Sequence, residues 1–250
     1  MRIAVFDTET TGLEKPFCYN IGYVIFDTET RETLCKKEFV VEQIWHNMAL
    51  FASAYYAEKR PIYVNRMRAK KIKMSKFGYI CQEMIRDFNH FEVSSAYAYN
   101  SNFDEKVFAF NCDWYKCSNP FDTIPVYDIR GYVHHFIAFT ESFQTFCETN
   151  ERFTESGNYS TTAETVFQYF SNDTDFEEEH TALADSEIEL VILVNCVTLG
   201  AEWEKAYKVY QSIPRETERE LVVIVDNEDC FSFNYKKKSV RNGIIYLKTK

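Results

Sequence analysis

The chain has 250 residues, of which 46% are hydrophobic and 17% aromatic, with 22 Phe, 17 Tyr and 3 Trp. That supplies a substantial core, and with only 26% charged residues it excludes disorder and the coiled-coil class. Lys+Arg total 28 against 38 Asp+Glu, and the net charge of −10, taken whole, disfavours an electrostatic binder of nucleic acid. The apolar run before Asp7 is too short for a signal peptide. The longest one, Leu190 to Leu199, is broken by Asn195 and Thr198 and is too short to span a bilayer, so no membrane association is expected. The eight cysteines show no C-x-x-C pair and no zinc-ligand spacing, which points to reduced, buried thiols and a cytoplasmic location.

Stretches 2–7, 21–27 and 34–41 are rich in Val, Ile and Phe and joined by short turn-prone links, so they predict an antiparallel meander. Helices are expected over 42–59 and 76–91, the second with Phe77, Ile80, Cys81, Met84, Ile85 and Phe88 at i, i+3, i+4 spacing. A strand at 95–100 precedes a helix at 103–111, and a strand near 124–129 precedes a helix over 132–148. Further helices are expected at 161–171 and 181–199, the last continuing past Gly200. Strands first and alternating helix and strand afterwards predict an α/β layered fold with a mixed sheet. The boundary is set at residue 200, so that 201–250 forms a helical extension and a small β-rich appendage with strands at 221–225, 231–235 and 244–247.

Along a strand alternate residues share a face, so Asp7 and Glu9 project together from the end of the first strand. Two adjacent carboxylates repel unless a cation offsets them, which makes the pair a candidate site for Mg²⁺ or Mn²⁺. Gly12 falls where the backbone must turn or approach a ligand closely. Asp-x-Glu occurs five times in the chain, so the pair alone is a weak signal. Asn100-Ser-Asn-Phe-Asp104 and His180-Thr-Ala-Leu-Ala-Asp185 add an acid near each of two helix starts, the second with a histidine. The His134-His135 pair reads as structural, and Glu177 to Glu179 as a solvated approach to His180.

The ordered set Asp7/Glu9, Asp104 and His180/Asp185 resembles the motifs of the DEDD exonuclease superfamily, in its histidine-containing DEDDh branch of epsilon-type proofreading enzymes. The resemblance covers residues 1–200. It implies a ribonuclease-H-like fold, a five-stranded mixed sheet with its first strand central and helices on both faces. It also implies a 3′→5′ exonuclease that releases nucleoside 5′-monophosphates with two Mg²⁺ or Mn²⁺ ions. Asp7, Glu9 and Asp185 would then hold one ion, Asp7 and Asp104 the second, and His180 would be the general base. By the same resemblance Thr10, Thr11, Gly12 and Leu13 cradle the terminal nucleotide, and Asn100 lies near the substrate phosphates.

Charge resolved along the chain changes the reading of its sum. Residues 59–76 carry eight cations and 231–250 carry six, neither with an acid. Arg66, Arg68, Lys70 and Lys71 are candidate phosphate contacts, and Tyr63 can stack on a base. The expected substrate is a free 3′ end of single-stranded DNA, in DNA replication or repair, with a DNA polymerase complex as a candidate partner. RNA-directed 3′ degradation by the same fold is the alternative, as is a catalytically idle, nucleic-acid-binding accessory protein. The chain is expected to be a monomer, or a homodimer paired through an exposed strand edge.

Overall fold

Alternation along the first strand decides the architecture. In β1 (Arg2–Thr10), Ile3 and Val5 point to one side and Ala4 and Phe6 to the other, and all four are fully buried. A strand buried on both faces belongs in the interior of a sheet covered twice. β1 lies between β2 (Cys18–Asp27), antiparallel, and β5 (Val93–Ala98), parallel. Outside these run β3 (Glu32–Val41), β4 (Lys73–Ser75) and β6 (Val126–Asp128), giving the order β4-β3-β2-β1-β5-β6. A computed structural model of the chain describes residues 1–215, and the backbone of two further strands at Val222–Ile224 and Ile244–Tyr246.

The sheet thus has six strands where five were expected. The additional β4 pairs Val40 with Met74 over three residues at the sheet edge, too short and too cationic to stand out in the sequence. Ala4, Phe6, Ile21 and Tyr23 form one core layer with α4 (Phe77–His90) and α5 (Ser101–Tyr115). Ile3, Val5 and Val24 form the other with α6 (Ile129–Phe136), α7 (Glu141–Thr149), α8 (Ala163–Ser171) and α9 (Ala182–Thr198).

Several helix boundaries differ from expectation, each for a local reason. Residues 42–59 form two single-turn helices, α1 (Glu42–Trp45) and α2 (Met48–Phe51), and a 3₁₀ turn at Ala57–Lys59. Helix α3 (Arg60–Arg68) follows, with Pro61 in its first turn. The single helix expected over 132–148 divides into α6 and α7, because the Thr140 side chain accepts from Phe143 N–H at 3.3 Å and starts a new helix. Helix α9 does not continue past Gly200, whose φ of 109° ends it, and no helix forms over 201–213.

The first compact unit extends to Ile213, not to residue 200, because Ala201 and Ile213 are buried and Tyr207 packs on the α6 layer. Tyr210 N–H donates to His134 Nδ1 at 2.9 Å, and the other ring nitrogen meets Thr161 Oγ1 at 3.1 Å. Burial holds the pKa of His134 down to about 4, so it is a neutral structural group. The second unit begins at Pro214, and in it Val222–Ile224 runs parallel to Ile244–Tyr246. The strand expected at 231–235 and the cations of 231–250 lie outside the described residues. Among the described residues no helix is long and apolar enough to cross a membrane.

Candidate active site

The parallel β1–β5 ladder ends at Val5 opposite Tyr97, while β1 stays paired to β2 as far as Thr10. Asp7 to Thr10 therefore overshoot the sheet on the β5 side, with Asp7 and Glu9 on the same face. Asp7 is the register partner of Gly22. Helix α9 begins directly over that glycine, where a Cβ would stand 2.1 Å from Leu183 N and 2.3 Å from Ala182 C. Asn20 Oδ1 accepts Ala182 N–H at 2.9 Å and Ser186 Oγ donates to Gly22 O at 3.2 Å, fixing the helix start on β2. One turn in, Asp185 meets the β1 pair, and carboxylate oxygens of Asp7, Glu9 and Asp185 lie within 4.8 Å of one another.

Asp104 arrives from the other layer. Asn100, in left-handed backbone (φ 63°), starts α5, with its N–H donated to Asp128 Oδ1 at 2.9 Å. Asp104 is buried in the first turn of α5, and Thr8 Oγ1 donates to its Oδ1 at 2.6 Å. Thr8 points away from Asp7 and Glu9, so β1 serves both layers of the site.

The acids repel and are starved of water. Burial, then Asp7 and Asp185, push Glu9 up to about 10. Burial, then Asp7, push Asp185 up to about 9. Asp7 is also raised, by burial and then Asp104, and burial lifts Asp104 to about 7 in spite of the Thr8 bond. The Oδ1 atom of Asp185 is buried without a hydrogen-bond partner. Oxygen donors this close, one of them orphaned, fit a hard divalent cation. Sequence reasoning missed a further acid, Glu189, one turn beyond Asp185 on α9. It is 4% exposed, raised by burial and by Asp7, and accepts Tyr99 N–H at 3.2 Å. Its i+4 spacing from Asp185 on an apolar helix was the available signal.

His180 stands just before α9 with φ 53°. Its ring stacks on Tyr56 with centroids 4.2 Å and planes 12° apart, and Nδ1 lies 3.7 Å from Glu178 Oε2. Burial, then Lys59, lower the imidazole pKa. Glu178 is not the solvated residue expected: its side chain is 15% exposed and burial pushes it up to about 7.

Arg66 is not a free phosphate contact either. Its guanidinium pairs with Glu38 at 3.1 Å, donates to Thr181 Oγ1 at 3.1 Å and holds Glu179, so it braces the His180 loop. Tyr63 is fully buried, its hydroxyl donating to Asn20 Oδ1 at 3.1 Å, and cannot stack on a base. Arg68, Lys70 and Lys71 are exposed. Thr10 to Leu13 form a rim beside the acids: Thr11 N–H donates to Phe17 O at 3.0 Å, and Leu13 is 82% exposed. At Gly12 neither a left-handed backbone nor a crowded Cβ position demands glycine.

By sequence the chain matches no family model and no curated protein. By fold it is similar to the nuclease domain of 3′hExo, a DEDDh family member bound to rAMP. That likeness has a TM-score of 0.57 at 15% identity and covers 85% of this chain and 97% of that one. A 3′-exonuclease solved for its 3′-end-specific recognition of a histone mRNA stem-loop gives 0.57 at 14% identity, over 80% of this chain and 83% of its own. A full-length 3′-exonuclease gives 0.54 at 15% identity, over 85% and 68%. The likeness is one of fold: the mixed α/β sheet with helices on both faces is shared with these DEDDh-family and 3′-exonuclease structures.

Proposed function

We propose that the chain is a divalent-metal-dependent 3′→5′ exonuclease that releases nucleoside 5′-monophosphates. The observation that carries this reading is the convergence of Asp7, Glu9 and Asp185, from two elements far apart in sequence, within 4.8 Å on this fold. These three acids would hold one Mg²⁺ or Mn²⁺, and Asp7 with Asp104 a second. When bound, such ions polarise the scissile phosphate and stabilise charge on the leaving 3′ oxygen.

The chain's own residues supply the rest. His180 takes a proton at Nε2 from the attacking water, because Nδ1 is turned to Glu178. Its lowered pKa keeps it neutral, as a base must be, at pH 7. Tyr56 and Glu178 hold the ring in plane, and Arg66 braces the loop through Glu179 and Thr181. The Thr10–Leu13 rim and Asn100 face the terminal nucleotide, and Arg68, Lys70 and Lys71 meet phosphates further along the strand. Tyr55 is 85% exposed and edge-on to Tyr56, so it replaces Tyr63 as the surface on which a base stacks.

Single-stranded DNA is the first assignment of substrate. RNA is the second reading, favoured by the rAMP and the stem-loop RNA of the two neighbours. The test uses 5′-labelled DNA and RNA strands of one sequence with Mg²⁺, Mn²⁺ or EDTA. A ladder shortening from the 3′ end, absent in EDTA, is expected. A faster ladder on RNA transfers the substrate assignment, and a full-length strand under every cation overturns the exonuclease reading.

A further inference from the structure

Seven cysteines lie among the described residues, all as free thiols, and three of them meet. Cys81 is on the inward face of α4, beside Ile80 and Met84 in the core. Cys112 is in the last turn of α5. Cys117 follows that helix and is brought back to it by the chain reversal at Lys116, whose left-handed backbone (φ 52°) ends α5 and lets Cys117 N–H donate to Cys112 O at 3.1 Å. The three sulfurs lie within 4.8 Å of one another. Cys112-x4-Cys117 has a spacing that zinc ligands use, a signal passed over in the sequence because the third member, Cys81, lies 31 positions before Cys112.

We infer that Cys81, Cys112 and Cys117 form a binding site for a thiophilic divalent cation, with Zn²⁺ as its occupant, separate from the carboxylate cluster. Sulfurs around tetrahedral zinc, at about 2.3 Å from the metal, stand roughly 3.8 Å apart, so three thiolates already this close need move by about 1 Å or less. A disulfide would engage two of the sulfurs and leave the third, whereas a metal engages all of them. Soft thiolates select zinc over Mg²⁺ or Mn²⁺, and the hard oxygens of the carboxylate cluster select the reverse. The fourth position opens on a surface hollow of about 380 Å³ that Cys112 and Cys117 line together with Asn119 and Asp122. Water or the Asp122 carboxylate completes the tetrahedron from that side.

Such a site would tie α4, α5 and the loop leading to β6 into one unit, at the opposite end of α5 from Asp104. Metal binding to three ligands on separate elements is coupled to folding, so its removal loosens that corner.

The test uses the full chain, purified in a reductant, stripped of metal and titrated with Co²⁺ in excess Mg²⁺. One equivalent is expected to produce a thiolate-to-cobalt charge-transfer band in the near ultraviolet with intense tetrahedral visible bands, both displaced by Zn²⁺. Carboxylate-bound cobalt gives no charge-transfer band, so the two sites are distinguishable. Cys81→Ser and Cys112→Ser should lose the band and Cys147→Ser on α7 should keep it. If the serine variants fail to fold, alkylation of the wild type mapped by mass spectrometry replaces them, with Zn²⁺ expected to slow labelling of half-exposed Cys117 at least tenfold. Absence of the band in the wild type, its survival in both serine variants, or equal labelling of Cys117 with and without Zn²⁺ would overturn the assignment.

Discussion

Asp7 and Gly22 face each other across the β1–β2 ladder, and the missing side chain at Gly22 brings Asp185 to Asp7. The backbone of Ala182 and Leu183 occupies the space a Cβ would need, so the third acid of the cluster is placed by a residue with no chemistry of its own.

Gly22→Ala is therefore expected to act on the site at a distance. Overpacking of this kind costs roughly 1–3 kcal/mol, and a displacement of reacting groups by about 1 Å can lower the rate on the order of 10²-fold. A thermal melt and a single-turnover assay in Mg²⁺ check this. Wild-type activity in the variant would show that α9 does not rest on Gly22 in solution.

The histidine gives a pH signature. Burial and Lys59 lower the His180 pKa from its ordinary 6.5, so the acidic limb of the pH–rate profile is expected below pH 6.5. Removing a neighbouring positive charge makes the imidazolium easier to form, so Lys59→Ala should move that limb to higher pH. His180→Ala should remove the limb and slow the reaction by about 10²-fold or more. A limb unmoved in Lys59→Ala would assign the ionisation to another group.

Arg66 and its neighbours on and after α3 should separate cleanly. Arg66→Ala strands Glu38, whose side chain is 1% exposed and already has one oxygen without a partner. The expected cost is roughly 3 kcal/mol, the lower end for broken buried pairs, because Arg66 keeps some exposure. Neutralising Arg68, Lys70 and Lys71 together should leave the melt unchanged, raise KM and flatten its salt dependence. An unchanged KM would mean that these exposed cations are merely solvated.

The sequence showed the acids but not what holds them. Asp7, Glu9, Asp104, His180 and Asp185 were legible because each follows an apolar strand or opens a helix, in an order with a family resemblance. The supports were hidden because they act across long separations: Asn20 reaches Ala182, Arg66 reaches Thr181, and Tyr56 stacks on His180. Tyr63 was misread for the same reason, since an aromatic among cations looks like a stacking surface until its hydroxyl is seen on Asn20. The meander and the order of the remaining elements followed from alternation and periodicity. Boundaries set by one residue, Thr140 starting α7 and Gly200 ending α9, did not.

Stability should report the acid cluster without any substrate. Glu9 at about 10, Asp185 at about 9 and Asp104 at about 7 all stand above ordinary carboxylate values near 4. The folded chain thus holds these protons more tightly than the unfolded chain. Their contribution is fully present below about pH 4 and is lost as pH rises through the folded values. In EDTA the melting temperature should fall between pH 5 and pH 9. Mg²⁺ or Mn²⁺ competes with the protons, so its stabilising effect should grow with pH over that range. A metal effect of constant size at every pH would argue against the ions binding at these acids.

The most direct measurement compares wild type and Asp7→Asn on a 5′-labelled single strand in Mg²⁺, beside melts of both proteins in EDTA. Asp7→Asn removes one of the crowded charges and keeps the shape. The variant should melt no lower than wild type in EDTA, gain little or nothing from Mg²⁺, and leave the strand at full length while wild type shortens it from the 3′ end. A folded Asp7→Asn protein that degrades the strand as fast as wild type would contradict the assignment of the site.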